Sequence, residues 1–148
     1  MKLTEREALE KFSAHDHGTL STFHPTRGID SVPAVYAFDG QFVGIPVDRI
    51  KPKSSTRLRR QDNVSLDPRA TLLVDQWDSS DWSRLWWVRV HLEPVSTPDN
   101  TQVRELSRLL AQRYVQYRDE PFETVMVFRI LAVYGWSASG TDYEALEG

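Results

Sequence analysis

The stretch Ile29-Asp30-Ser31-Val32-Pro33-Ala34-Val35-Tyr36-Ala37-Phe38, then Asp39-Gly40, then Gln41-Phe42-Val43-Gly44-Ile45-Pro46-Val47, decides the fold class. Two runs rich in β-branched and aromatic residues flank an Asp-Gly pair, a strong signal for a tight hairpin. They read as antiparallel neighbours. Pro33 and Pro46 each lack the N–H of a ladder bond, so each must lie at a sheet edge, at a bulge or where pairing breaks. A parallel, doubly wound sheet would need a crossover helix after nearly every strand, and the hairpin spacing leaves no room for one.

Working outward, Thr4 and Glu7 form a T-x-x-E capping box, with Leu3 placed to staple onto Ala8. Ala8, Leu9 and Phe12 make one apolar stripe, and this helix should stop near His15–Gly18. A strand follows over 19–23, and the turn His24-Pro25-Thr26-Arg27-Gly28 leads into the central hairpin. Beyond it, Ser54 or Ser55 is placed to cap a helix reaching about Asn63. Strands are expected over 70–77 and 84–95, around a polar turn at 78–82. Thr97 as cap and Pro98 in the first turn open a long helix whose face carries Val103, Leu106, Leu110 and Tyr117. A last strand spans 124–136, before a polar tail with 138–148 flexible. Six strands and three helices predict a mainly β chain: a six-stranded antiparallel barrel with peripheral helices.

The 148 residues fit one domain, 1–148. The absence of cysteine excludes disulfides, thiolate metal sites and cysteine nucleophiles. Apolar runs fall far short of the roughly 20 residues of a membrane span, and the charged N-terminus carries no apolar signal core. A cytoplasmic protein without membrane or nucleic-acid partners is therefore expected.

The net charge of −3 conceals an asymmetry. Arg49, Lys51, Lys53, Arg57, Arg59 and Arg60 crowd twelve positions, so the remaining 12 basic and 21 acidic side chains leave the rest of the chain at −9. One dense basic cluster on an acidic protein fits a single local anion better than a broad nucleic-acid surface. The cluster follows a strand and leads into a helix, where hydroxyls, backbone N–H groups and basic side chains converge on one place. The plainer reading is a solvated basic face. Trp86 and Trp87 are strand neighbours and must face opposite sides, one toward the core and one toward a partner or ligand, unless both simply pack. Of the histidines, His15 and His17 stand two apart, with no H-x-x-x-H, and no metal is expected. Nucleophile elbows, P-loops and G-x-G-x-x-G motifs are missing. No catalytic residue stands out. The inventory suits a protein that holds a cofactor which brings its own chemistry.

Two runs resemble a known family. They are Gly44-Ile45-Pro46-Val47-Asp48-Arg49-Ile50-Lys51-Pro52-Lys53, continuing through Arg57-Leu58-Arg59-Arg60 and Asn63, and Asp67-Pro68-Arg69-Ala70-Thr71-Leu72-Leu73-Val74-Asp75. Both are similar to the flavin and deazaflavin split-barrel superfamily, the pyridoxamine 5′-phosphate oxidase-like fold. Asp81-Trp82-Ser83-Arg84-Leu85-Trp86-Trp87-Val88-Arg89-Val90 resembles its coenzyme F420-dependent oxidoreductases. The resemblance implies a six-stranded split barrel and a homodimer with the cofactor in the interface groove. It implies phosphate contacts from Lys51, Lys53, Arg57 and Arg60, and a ring site along Pro33, Ala34, Pro46 and Val47, with Asn63, Trp77 and Trp87 completing the cofactor-binding set. The activity it implies is hydride transfer between coenzyme F420 and a small unsaturated organic substrate. The alternatives are an FMN-binding oxidoreductase of the same fold and a non-catalytic cofactor carrier.

Overall fold

The computed structural model describes residues 1–48, 59–119 and 122–139, with the backbone alone at 48, 59, 60, 122 and 123. Helix α1 (Glu5–Ala14) starts at the expected capping box: Glu7 N donates to Thr4 Oγ1 at 3.1 Å, and Thr4 N to Glu7 Oε1 at 2.9 Å. It buries Ala8 and Phe12, with Leu3 buried beside them.

Among the described residues seven strands follow, one more than expected: β1 (His17–His24), β2 (Gly28–Val35), β3 (Ala37–Phe38), β4 (Phe42–Asp48), β5 (Ala70–Gln76), β6 (Trp86–Pro94) and β7 (Phe122–Ser137). The extra strand arises because the run 29–38 changes partners at Tyr36. Its first part pairs with β1, from Gly28 opposite His24 to Val35 opposite His17. Ala37 and Phe38 pair instead with Gly44 and Val43. The tight turn lies between β3 and β4, where Asp39 Oδ1 accepts from Gln41 N at 2.8 Å and Phe42 N at 2.7 Å, and Gly40 takes φ +98°.

All pairings are antiparallel, in the order β2-β1-β5-β6-β7-β4-β3. That order forces curvature. β2 and β3 are the two outer strands, yet only Tyr36 separates them in sequence. A two-residue step spans at most about 7 Å, so the sheet must curl until its margins meet. Tyr36 fastens that seam. It is fully buried and stacks on Phe12 at 4.4 Å, and its hydroxyl donates to Phe12 O at 2.6 Å. Tyr114 Oη donates to Tyr36 O at 2.9 Å from outside the barrel. Pro33 lies on the outer strand β2, and Pro46 lies on β4 beyond the last residue paired with β3, as their missing donors require.

Alternate residues fill the barrel: Leu20, Val43, Ile45, Leu72, Val74, Val88, Val90, Leu92 and Phe128, closed by Phe12 and Tyr36. A second cluster lies outside, where Leu106 and Leu110 of α3 (Asn100–Arg113) meet Ala37, Val125 and Val127. α3 is capped by Asp99 rather than Thr97. Asp99 Oδ1 accepts from Gln102 N at 2.8 Å, and Gln102 Oε1 accepts from Asp99 N at 3.1 Å, a box that leaves Pro98 ahead of the helix. Tyr117 is buried in a 3₁₀ turn, Val115–Tyr117, beyond the end of α3.

Helix α2 is described over Arg59–Leu66, three residues past the expected end, and Ser54 and Ser55 lie outside the described residues. β5 stops at Gln76, and a 3₁₀ turn, Trp82–Arg84, precedes β6. Of the tail, 140–148 lies outside the described residues, whereas Ser137 is buried in β7 and exchanges backbone bonds with Met1. No described helix is long and apolar enough to cross a membrane.

Candidate functional site

The split of the barrel lies between β2 and β4, past the short β3. Continuing the β3–β4 register sets Val35 level with Pro46 and Ala34 level with Val47 across it. Ala34, Pro46 and Val47 are buried and Pro33 is exposed. The ring residues expected from the sequence thus lie on β2 and β4, 12 or more positions apart along the chain.

The basic segment leaves from β4 and re-enters the described structure at α2. Lys51, Lys53, Arg57 and the Arg60 side chain lie outside the described residues. Both anchors of the segment are defined. At one, Val47 pairs with Thr124 and Asp48 with Phe122, with a bulge between them. At the other, Val64 packs on the barrel core and Asn63 is fully buried. Asn63 Nδ2 donates to Thr22 Oγ1 at 2.9 Å and to Asp30 Oδ2 at 3.0 Å. The Asp30 carboxylate also accepts Arg27 Nε at 3.2 Å and an Arg27 terminal nitrogen at 2.8 Å. The Asn63 bond first, then the Arg27 bond, hold the Asp30 carboxyl below its ordinary range. Asn63 Oδ1 is buried without a hydrogen-bond partner. A flipped amide would aim that oxygen at the carboxylate, so the orientation is fixed by charge. With no exposed surface, Asn63 works as a bracket fastening α2 to β1 and β2, and it positions the segment instead of reaching into a groove.

Between α2, the approach to α3 and β7 runs a groove of about 290 Å³, walled by Gln61, Val64, Val95, Pro98, Thr124 and Val125. It opens beside both anchors of the basic segment, because Thr124 pairs with Val47 and Gln61 lies in the first turns of α2. Among the described residues its lining is not titratable, and its walls are mainly apolar, suited to a planar group. Gln61, Val95, Pro98 and Thr124 escape sequence reasoning, because only the β4–β7 pairing, some 80 positions apart, assembles them.

The aromatic residues divide. Trp77 and Trp82 form an edge-on pair at 5.8 Å in the β5–β6 connection, 59% and 67% exposed. That connection is the end of β5 remote from Ala70, hence remote from α2 within one chain. Trp86 packs on the core and donates Nε1–H to Gln76 Oε1 at 3.3 Å. Trp87 lies on the opposite face of β6, as alternation requires, with the Arg89 guanidinium 5.3 Å from its ring. Arg89 also sits 5.6 Å from the Tyr134 ring, and its Nε donates to His91 Nε2 at 3.3 Å. Leu73, Leu131 and Tyr134 are exposed on the neighbouring strands β5 and β7.

No family model matches the sequence, and no curated protein matches it in sequence. Solved structures do match. An FAD-binding protein from Mesorhizobium loti aligns over 91% of this chain and 95% of its own with a TM-score of 0.70 at 16% identity. An FMN-binding protein from Syntrophomonas wolfei aligns over 90% and 88% with a TM-score of 0.65 at 17% identity. The heme storage protein HutZ from Vibrio cholerae aligns over 87% and 92% with a TM-score of 0.61 at 12% identity. These likenesses run over nearly the whole of each partner. The chain has a split β-barrel fold, a mainly β curled antiparallel sheet with outlying helices.

Proposed function

We propose that the protein is a homodimeric oxidoreductase dependent on coenzyme F420, acting on a small unsaturated organic substrate. One observation carries the reading: an untitratable groove opens at both anchors of a segment that concentrates six basic residues in twelve positions. Such a site supplies charge-assisted donors for a phosphate beside apolar walls for a ring. The bound deazaflavin would supply the hydride chemistry. The chain's own part is to fix the phosphate through Lys51, Lys53, Arg57 and Arg60, to hold the ring against the groove walls beside β4, and to exclude water. A second copy completes the site, because Trp77 lies at the end of β5 remote from α2 and Trp87 lies on a face with exposed apolar neighbours.

The FMN reading rests on the FMN- and FAD-binding relatives in structure. Fluorescence titration with both ligands at fixed ionic strength separates the two. The deazaflavin should bind about tenfold more tightly, or about 1.4 kcal/mol; FMN binding as tightly or more tightly gives the site to the flavin. Lys53→Ala and Arg60→Ala should each cost about 1.5–3 kcal/mol of cofactor binding. Unchanged affinity in the double variant would make the cluster a solvated face. Sedimentation as a single-chain species at micromolar concentration would remove the dimer.

A further inference from the structure

Away from the groove, where α1 hands over to β1, three donor side chains converge. His15 is the C-cap residue of α1, Asp16 follows, and His17 opens β1. One ligating atom from each lies within 4.8 Å of the others. The rings of His15 and His17 are 5.3 Å apart, and Asp16 Oδ1 is 2.6 Å from His17 Nδ1. An ion held at about 2.0–2.2 Å from each donor needs donors roughly 3–3.5 Å apart. The present spread of up to 4.8 Å is wider, so an ion would draw the side chains together.

The backbone beneath these side chains is pinned from a distant element. Arg113 donates to His15 O and Tyr114 Oη to Asp16 O, both from the C-terminal end of α3. His15 is further held edge-on against Trp86 at 5.3 Å. The donors therefore sit on a fixed frame, the condition a metal site requires. A cavity lined by Lys11, Gln76 and Trp86 borders His15 and leaves space for further ligands to an ion.

We propose that His15, Asp16 and His17 form a binding site for a borderline divalent cation of the zinc, cobalt and nickel class. Two imidazoles and one carboxylate select such ions over calcium or magnesium, and three protein donors leave coordination positions open to water. The site is independent of the groove and of any cofactor reading.

Zn²⁺ titration of the full chain by calorimetry, with any affinity tag removed, tests it, with Co²⁺ absorption as a second probe. One ion per chain should bind. His17→Ala should weaken binding about tenfold or more, and so should His15→Ala. His91→Ala, on the sheet face, should leave it unchanged. His17 is largely exposed, so its removal spares the fold, and Asp16→Asn offers a second variant if His15→Ala is unstable. Absence of binding at millimolar Zn²⁺, or binding that survives His17→Ala and Asp16→Asn, overturns the site and leaves a hydrogen-bonded aspartate–histidine pair.

Discussion

Replacing Tyr36 by Phe keeps the ring and removes one donor. The ring stack on Phe12 at 4.4 Å and 9° survives, so no apolar burial is lost. What disappears is the 2.6 Å bond to Phe12 O. That carbonyl belongs to the last turn of α1, where helical partners run out. A buried carbonyl stripped of its donor costs about 1–3 kcal/mol. At about 2–4 °C per kcal/mol for a chain of this size, Tyr36→Phe should lower Tm by roughly 2–12 °C. Thermal unfolding followed by circular dichroism at pH 7 measures it. A second arm uses pH. Burial, above all, holds the Tyr36 hydroxyl's pKa above its ordinary 10.0. A group with a raised folded pKa contributes stability that is complete below its unfolded value and is lost as pH climbs through the folded one. Wild type should therefore lose stability progressively above pH 10, and Tyr36→Phe should lose less over the same interval. A variant within about 0.5 kcal/mol of wild type at pH 7, with the same alkaline slope, would refute the assignment of Tyr36 as the fastening of the seam.

Gly18→Ala should destabilise by about 1–3 kcal/mol, because its Cβ would stand 2.5 Å from Leu73 O and 2.9 Å from Val74 Cγ1; an unchanged urea midpoint would mean that β1 and β5 part without cost. Asn63→Asp should be the reverse of a conservative change, since it sets a second carboxylate against Asp30, 3.0 Å away in the present bond. Its deficit should be large at pH 7 and shrink as the pair protonates in acid, and a deficit independent of pH would remove the like-charge explanation.

Much of the architecture was legible from local chemistry. The Thr4–Glu7 box, the Asp39-Gly40 turn and the alternation along 70–76 and 86–94 act between near neighbours, and all appear as expected. The misreadings are non-local. Tyr36 looks like any strand residue, and only the closing of the sheet makes it the point where one run serves two margins. Thr97 and Asp99 are both good caps, and the choice fell to the residue with Gln102 three positions on. The strands carrying Ala34, Pro46 and Val47 could be placed from the sequence, whereas Asn63 could be recognised as a bracket only once Asp30 and Thr22 were known to lie against it.

The place of β7 in the sheet has a cost during synthesis. It is the last strand to be made, yet it lies between β6 and β4, pairing with Phe42–Asp48 along one side and with Trp86–Pro94 along the other. From the time Pro94 is translated until Ser137 emerges, β4 and β6 each present a ladder with no partner. Unpaired ladders of this kind recruit strands from other chains. Slowing translation between these two points should raise the insoluble fraction, whereas slowing it after Ser137 should not.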